Sequence, residues 1–386
     1  MRILHLLSNN KWTERAEPVV NLVGAQAGLG CTTTFVCGRW TLDFSSEHSV
    51  AQRARSRGLE TVVLEMNKHF RIGGARHDIP RLRQLVREKQ VDIMHVHMDN
   101  AHLLAALALR GQKQSPIIIR SSYEVAGPAR GIRSSFLNRC RIAGMIVIGT
   151  QAHRTVQKRF GLSPHQVVAI EPGIDVDFFD PDRAAPNVRI EHGFEPYHFV
   201  VGVVSRIRPD RRLDIPIDAV HALSERVPNL RLLVIGRGEG VSQVQERIGS
   251  LSLNGKVVLA GYRSGEDLVS AFRAMDVLAY PVPGTDQSCR TIREAMAAGV
   301  PVIGSRTGFV PSLVDDGVTG QLVEQSASGF AKAIAQLHDD RDQLLQMRSR
   351  CLREARQRFS LELQAQRTID FYKSMLAWPS GRMQAG

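Results

Sequence analysis

Thirteen short apolar runs rich in β-branched residues, spaced by amphipathic segments, constrain this 386-residue chain more than any single motif does. The first seven fall at 2–7, 32–37, 61–65, 92–96, 116–120, 145–149 and 166–170, with helical periodicity between most of them, as at 77–89 and 151–160. A strand that is apolar at nearly every position must be covered on both faces, and a helix after each strand supplies that cover in a parallel sheet. The rhythm breaks at PGIDVDFFDPDRAAPN (172–187), a Pro- and Asp-rich stretch that reads as a linker. It restarts at 198–204 and runs through 230–235, 256–260, 276–280, 301–304 and 320–323. Charged helical segments follow at 327–340 and 342–358, then an amphipathic one at about 361–376, and the tail PSGRMQAG is expected to hold no regular structure. The expected fold is α/β, with two Rossmann-like parallel-sheet domains. These are residues 1–180, residues 190–358, and a C-terminal helix at 359–376 packing back on the first. Ligands of such sheets sit beyond the carboxyl ends of the strands, and the cleft between two such domains is the natural place for one.

Composition narrows the class. The length exceeds what one core usually serves, which agrees with two domains. No run of ~18 apolar residues is present to span a membrane. The opening MRILHLLSNN turns polar too soon for a secretory signal and reads as a first strand. Cys31, Cys37, Cys140, Cys289 and Cys351 have no metal-ligand spacing and an odd count, which suits a reducing cytoplasm. The net charge of +12 is unevenly placed: residues 101–160 carry ten Lys or Arg against one acid, Glu124. Such a field draws phosphorylated substrates, an anionic lipid surface or nucleic acid. A nucleic-acid-binding protein is the non-enzyme alternative. Aromatic residues are only 6% and do not interleave with the basic cluster, so no nucleic-acid partner is expected.

Residues 284–304, GTDQSCRTIREAMAAGVPVIG, read as a loop entering a short amphipathic helix (Ile292, Ala295, Met296), stopped by Gly299 and Pro301 before another strand. Asp286 and Glu294 stand eight residues apart across the loop and helix. Loop amides and the positive end of the helix would face a bound anion. The second domain opens with VVGVVSRIRPDRRLD, which sets Arg206 after a strand and Arg211 five residues on. Guanidinium forks there suit a diphosphate, which they meet bidentately. IGRGEG (235–240) ends another strand in a glycine-rich turn but lacks the third glycine of the dinucleotide fingerprint.

The stretch REAMAAGVPVIGSRTGFVPSLVDDGVTGQLV resembles the donor-site signature of family-four glycosyltransferases, retaining enzymes of GT-B architecture whose two Rossmann-like domains face each other across a cleft. The likeness runs over roughly residues 1–376 and is thin in the first domain. Asp286 stands where the family has its first Glu, Phe309 replaces the second turn glycine, and Ser312 replaces a Glu. The resemblance implies a metal-independent transferase using a nucleotide-diphosphate sugar, UDP- or GDP-linked, as co-substrate, with no other cofactor. Arg206 and Arg211 would hold the diphosphate, Glu294 the ribose, and Asp286 hydroxyls of the donor sugar. Gly236, Gly238, Tyr262, Ser288, Cys289 and Arg290 would line the nucleotide-sugar site. The leaving phosphate would take the acceptor's proton on the same face. In the first domain, NNKWTERAEP (9–18) replaces the family's glycine pair, and IIIRSSYE (117–124) resembles a segment that carries a His where this chain has Tyr123. Trp12, His97, Arg120 and Tyr123 are the acceptor-side candidates. The expected acceptor is a saccharide or lipid-linked saccharide of surface-polysaccharide or glycan synthesis. The expected location is the cytoplasm, at the inner face of the membrane, with peripheral contact to anionic lipid. The missing glycine pair and Asp286 also leave open a catalytically silent glycosyltransferase-like subunit.

Overall fold

The computed structural model describes all residues except 14, 40–48, 68, 113–114, 125–126, 129–130, 184–187, 285–288 and 379–386. It divides into two compact units, residues 1–173 with 361–386, and residues 174–360.

The first unit is built on β1 (Arg2–Leu7), β2 (Thr32–Gly38), β3 (Thr61–Leu64), β4 (Ile93–Val96), β5 (Ile117–Ser122), β6 (Gly144–Val147) and β7 (Val167–Ala169). These lie in the order β3-β2-β1-β4-β5-β6-β7, all parallel. The chain winds outward one way from β1, then returns and winds the other way from β4. Loops leaving the carboxyl ends of β1 and β4 therefore diverge, which opens the crevice where ligands of such sheets bind. The helix Leu361–Ala377 belongs to this unit. Its Phe371, Tyr372 and Met375 are buried with Ile3, Ile93, Ile119 and Ile146 of the sheet. An apolar sheet face left without a crossover helix of its own is thereby covered.

The second unit holds β8 (Phe199–Val204), β9 (Leu230–Ile235), β10 (Val257–Leu259), β11 (Val277–Tyr280), β12 (Val302–Ser305) and β13 (Gly320–Val323). Their order is β10-β9-β8-β11-β12-β13, again parallel, with the reversal between β8 and β11. Each of the thirteen apolar runs forms a strand.

The stretch read as a linker is not one throughout. Ile174 and Phe179 are buried in the core of the second unit, and Phe179 meets Phe272 edge-on at a centroid distance of 5.9 Å. Its acids are engaged as well: Asp175 accepts the Phe178 amide at 3.0 Å, and Asp180 takes Arg356 at 2.6 Å. The Pro and Asp content signalled turns, while the apolar residues between them supplied something to bury.

Candidate functional site

Three loops at the carboxyl ends of β8, β9 and β10 are joined through their backbones. The amides of Ser205 and Ile207 donate to the carbonyls of Ile235 and Arg237 at 3.0 and 3.1 Å. Gly240 donates back to Ile207 at 3.0 Å, and Gly236 to Gly261 at 2.8 Å. This closeness needs glycine. A Cβ on Gly236 would lie 1.8 Å from the Ser205 carbonyl oxygen, and one on Gly238 2.2 Å from that of Ile207. The glycine-rich turn thus holds the arginine loop in place, whatever else it meets.

That loop carries four arginines in different states. Arg212 is taken by Asp214 at 2.9 Å, and Arg208 by Asp210 and Glu239 at 3.2 and 3.3 Å. Arg206 is exposed at the end of β8. Arg211 lies on a single 3-10 turn, Pro209–Arg211, with its nearest carboxylate, Asp210, 3.8 Å away. Its Nε is buried with no hydrogen-bond partner. A buried orphan donor on a guanidinium is costly unless an anion meets it.

On the neighbouring loops Arg237 lies over the ring of Tyr262 at 4.5 Å, and Tyr262 is 59% exposed. The pair forms a flat cationic platform beyond β9 and β10, the kind of surface on which an aromatic base stacks. Sequence reading found Tyr262 but not Arg237, whose only signal was its place inside the glycine turn.

Beyond β11 and β12 the loops are tied by Ser305 donating to the Val282 carbonyl at 2.9 Å and by the Phe309 amide donating to Pro283 at 2.8 Å. The helix Arg290–Ala297 buries Ile292, Ala295 and Met296. Glu294 is only 4% exposed and accepts from Arg290 at 2.6 Å, so this arginine sits on Glu294. Cys289 does not line a site. It is fully buried, with Sγ 3.9 Å from the Tyr280 hydroxyl, because Gly284 leaves room for it. Asp286 and Ser288 lie outside the described residues.

In the first unit the switch point between β1 and β4 holds a buried polar cluster. His5 and His95 pair in register on adjacent strands, and His97 follows β4. His5 Nε2 meets Gln26 Oε1 at 2.7 Å, and His5 Nδ1 meets His97 Nε2 at 3.0 Å. The Tyr123 hydroxyl lies 3.3 Å from His97 Nδ1. His95 meets the Tyr372 hydroxyl at 2.5 Å and Ser121 Oγ at 2.8 Å, and Gln26 Nε2 donates to Tyr372 at 3.4 Å. Burial pulls the His5 ring down to about 4, and burial with mutual repulsion holds His95 and His97 well below the usual imidazole range. Ligand atoms of the three rings lie within 4.8 Å of one another. A metal is nonetheless a poor fit: every ring nitrogen already has a protein partner, and the 3.0 Å contact of His5 with His97 is a hydrogen bond.

Arg120 departs from its expected role. It is 4% exposed, paired with Asp99, and donates to His102 Nδ1 at 3.1 Å. An arginine inside an otherwise apolar strand run ends up in the interior, not presented to a ligand. Trp12 is half-buried, and the guanidinium groups of Arg53 and Arg57 lie over its ring at 4.9 and 5.2 Å. Tyr123 is half-exposed at the carboxyl end of β5.

Comparison with known proteins agrees across both units. Residues 19–178 match the family described as Glycosyltransferase Family 4, and residues 186–358 match Glycosyl transferases group 1. A D-inositol 3-phosphate glycosyltransferase of Corynebacterium glutamicum (strain R) is 30% identical over 246 residues, 61% of this chain and 58% of that protein. One from Mycobacterium sp. (strain KMS) is 35% identical over 168 residues, 42% of this chain and 36% of that protein. The chain thus matches 58% of the length of the first of these curated relatives and 36% of the second. Among solved structures, a glycosyltransferase from Rickettsia africae ESF-5 superposes with a TM-score of 0.83 at 15% identity, covering 98% of this chain and 99% of that one. Anabaena Alr3699/HepE in complex with UDP superposes with a TM-score of 0.79 at 19% identity, covering 97% and 100%. At those identities the superpositions speak for the fold.

Proposed function

We propose that this chain, which belongs to the family-four glycosyltransferases of the GT-B type, moves a sugar from a nucleotide-diphosphate donor to a hydroxyl of a saccharide or lipid-linked saccharide, with anomeric configuration retained and no metal required. The observation that carries this reading is the loop after β8, which holds both the orphan Nε of Arg211 and the exposed Arg206 at the switch point of the second sheet. In the reaction the bond from the anomeric carbon to the β-phosphate oxygen breaks and one to the acceptor oxygen forms. The acceptor's proton goes to the departing phosphate. Arg206 and Arg211 stabilise the charge that builds on that phosphate, Arg237 and Tyr262 stack on the base, and Glu294 accepts from the ribose hydroxyls. UDP, seen with Alr3699/HepE, and D-inositol 3-phosphate, named for the curated relatives, are the first donor nucleotide and acceptor to try.

A panel of radiolabelled UDP-, GDP- and ADP-sugars with and without D-inositol 3-phosphate tests the reading. Transfer or donor hydrolysis supports an enzyme, whereas silence across the panel favours a glycosyltransferase-like subunit without activity. Fixed guanidinium groups replace a cation between the phosphates, so EDTA should leave turnover unchanged. Activity lost on chelation and restored by Mg²⁺ or Mn²⁺ would overturn the donor-site assignment.

Among the described residues no helix is long and apolar enough to cross a membrane. Contact with the inner face of the cytoplasmic membrane is proposed as peripheral. The helix Ile132–Cys140 supports it by leaving Ile132 94% and Phe136 52% exposed beside Arg133 and Arg139. Each such base contributes about 1 kcal/mol at an anionic leaflet, screened by salt. Liposome sedimentation should show binding that needs anionic lipid and falls steeply as salt rises. Indifference to anionic liposomes at low salt would point to a soluble acceptor instead.

A further inference from the structure

Arg120 is a buried cation in an apolar strand, and only one of its side-chain partners reaches water. On β5 it pairs in register with Val96 and Met145, both fully buried, and is itself 4% exposed. Its Nη1 donates to His102 Nδ1 at 3.1 Å and its Nη2 to Asp99 Oδ1, while its buried Nε has no hydrogen bond among the described residues. Burial pulls the guanidinium below its usual range, and Asp99 opposes that shift. An arginine so placed costs stability, and an apolar residue of similar size would avoid the cost. His102 is wholly buried, whereas the Asp99 side chain is 56% exposed. Asp99 is stable where it stands without such help, because it opens the helix Asp99–Leu109, whose positive end favours an acid. A residue that breaks the local pattern with no gain in stability points to function.

Asp99 lies directly beyond β4, and the Ala101 amide donates to Ser8 Oγ at 3.2 Å, which ties that helical turn to the end of β1. The carboxylate thus stands at the switch point of the first sheet, where the loops after β1 and β4 diverge. Arg120 takes its Oδ1, and its Oδ2 makes no hydrogen bond among the described residues. We propose that Asp99 accepts hydrogen bonds from hydroxyls of a saccharide or cyclic polyol, with Arg120 holding it in place from inside the sheet. Asp99 binds the ligand, and Arg120 is a positioning residue. Like charge disfavours an ionised phosphate at the same oxygen. The proposal rests on the reading that the first unit carries the acceptor.

Calorimetric titration of the full chain with myo-inositol, methyl α-glucoside and inorganic phosphate tests it. Asp99→Asn should weaken whichever hydroxyl compound binds by about tenfold or more, the worth of one hydrogen bond to a charged group, and should not weaken phosphate. Arg120→Met should weaken the same compound by about threefold or more, although Asp99 is intact. Asp99→Asn with Arg120→Met should weaken it no further than Asp99→Asn alone, because Arg120 acts through Asp99. Asp99→Asn leaves Arg120 buried without its counter-charge. If that variant does not fold, the double variant, which buries no cation there, carries the comparison with wild type. A purely structural ion pair would shift thermal melts and leave hydroxyl binding unchanged, and that result overturns the proposal. Additive losses in the double variant would also overturn it. Wild type that transfers sugar but binds neither hydroxyl compound sinks the proposal and leaves the transferase reading in place. Binding lost in Asp99→Asn, with no nucleotide sugar turned over by wild type, keeps the proposal and removes the transferase reading.

Discussion

The protein should lose most of its folding stability between pH 6.5 and about pH 4, and the first unit should unfold first. Four buried histidines cause this, and all four lie in that unit: His5, His95, His97 and His102. Each is folded as a neutral ring. Burial holds His5 at about 4, while burial and the adjoining Arg120 hold His102 at about 3. His95 and His97 are displaced in the same direction. In the unfolded chain all four titrate near 6.5. Below that pH the unfolded state binds protons that the folded state refuses, so stability falls as pH falls. The loss from each ring is complete only once the pH passes below its folded value. For His5 a displacement from 6.5 to about 4 corresponds to roughly 3 kcal/mol, and the other three rings act in the same direction, against a domain stability of about 5–15 kcal/mol. With four protons in play, the slope near pH 5.5 should approach about 5 kcal/mol per pH unit. The three rings of the cluster are coupled and should protonate together as the unit opens. Urea titrations at pH 7.0, 6.0 and 5.0, followed by circular dichroism, measure the slope directly. His102→Gln should reduce it by one proton. A stability that stays flat from pH 7 to pH 5 would mean that these rings are charged or exposed.

The same cluster marks where reading the chain reaches its limit. Strand positions were legible because a strand covered on both faces is apolar at nearly every position. The loop that carries Arg206 and Arg211 and the helix that carries Glu294 were legible as elements because a strand end and a helix stopped by Gly299 and Pro301 use few residue types. His5 gave no sign inside MRILHLL. Its partner Gln26 sits on the helix Ala16–Gly28, and Tyr372, which meets Gln26, lies 346 residues further along. Their meeting depends on how the last helix packs against the first, which no local pattern encodes. Arg120 became a candidate through the likeness of IIIRSSYE to a family segment, although its neighbours Ile117, Ile118 and Ile119 already placed it in a strand. The 172–187 stretch shows the converse, with turn-forming residues outweighing in the reading the apolar ones that fold into the second core.

Arg211→Ala should lower donor turnover by about 30- to 1000-fold, or ~2–4 kcal/mol of transition-state stabilisation, the cost of removing one preorganised charge-stabilising donor. Arg206→Ala should fall in the same range. The four arginines of this loop make the experiment discriminating, because they share chain segment and charge but not partners. Arg212 is neutralised by two contacts to Asp214 through its Nε and Nη2, and Arg208 by Asp210 and Glu239. Arg211 has its Nε buried without a hydrogen bond, and its side chain is still 27% exposed. A cation in that state is prepared for an anion that arrives later. Arg212→Ala should therefore stay within about threefold of wild type, since removing an exposed, already paired arginine costs little. Arg211→Lys should fall between, keeping the charge and losing the planar fork that meets two oxygens together. The losses should appear in kcat more than in KM, because the charge on the leaving phosphate grows as the glycosidic bond breaks. Thermal melts of all four variants must match wild type for the comparison to hold. Turnover within threefold of wild type in Arg211→Ala would remove it from the diphosphate site, and equal losses in Arg211→Ala and Arg212→Ala would show a general field from the loop instead of a specific clamp.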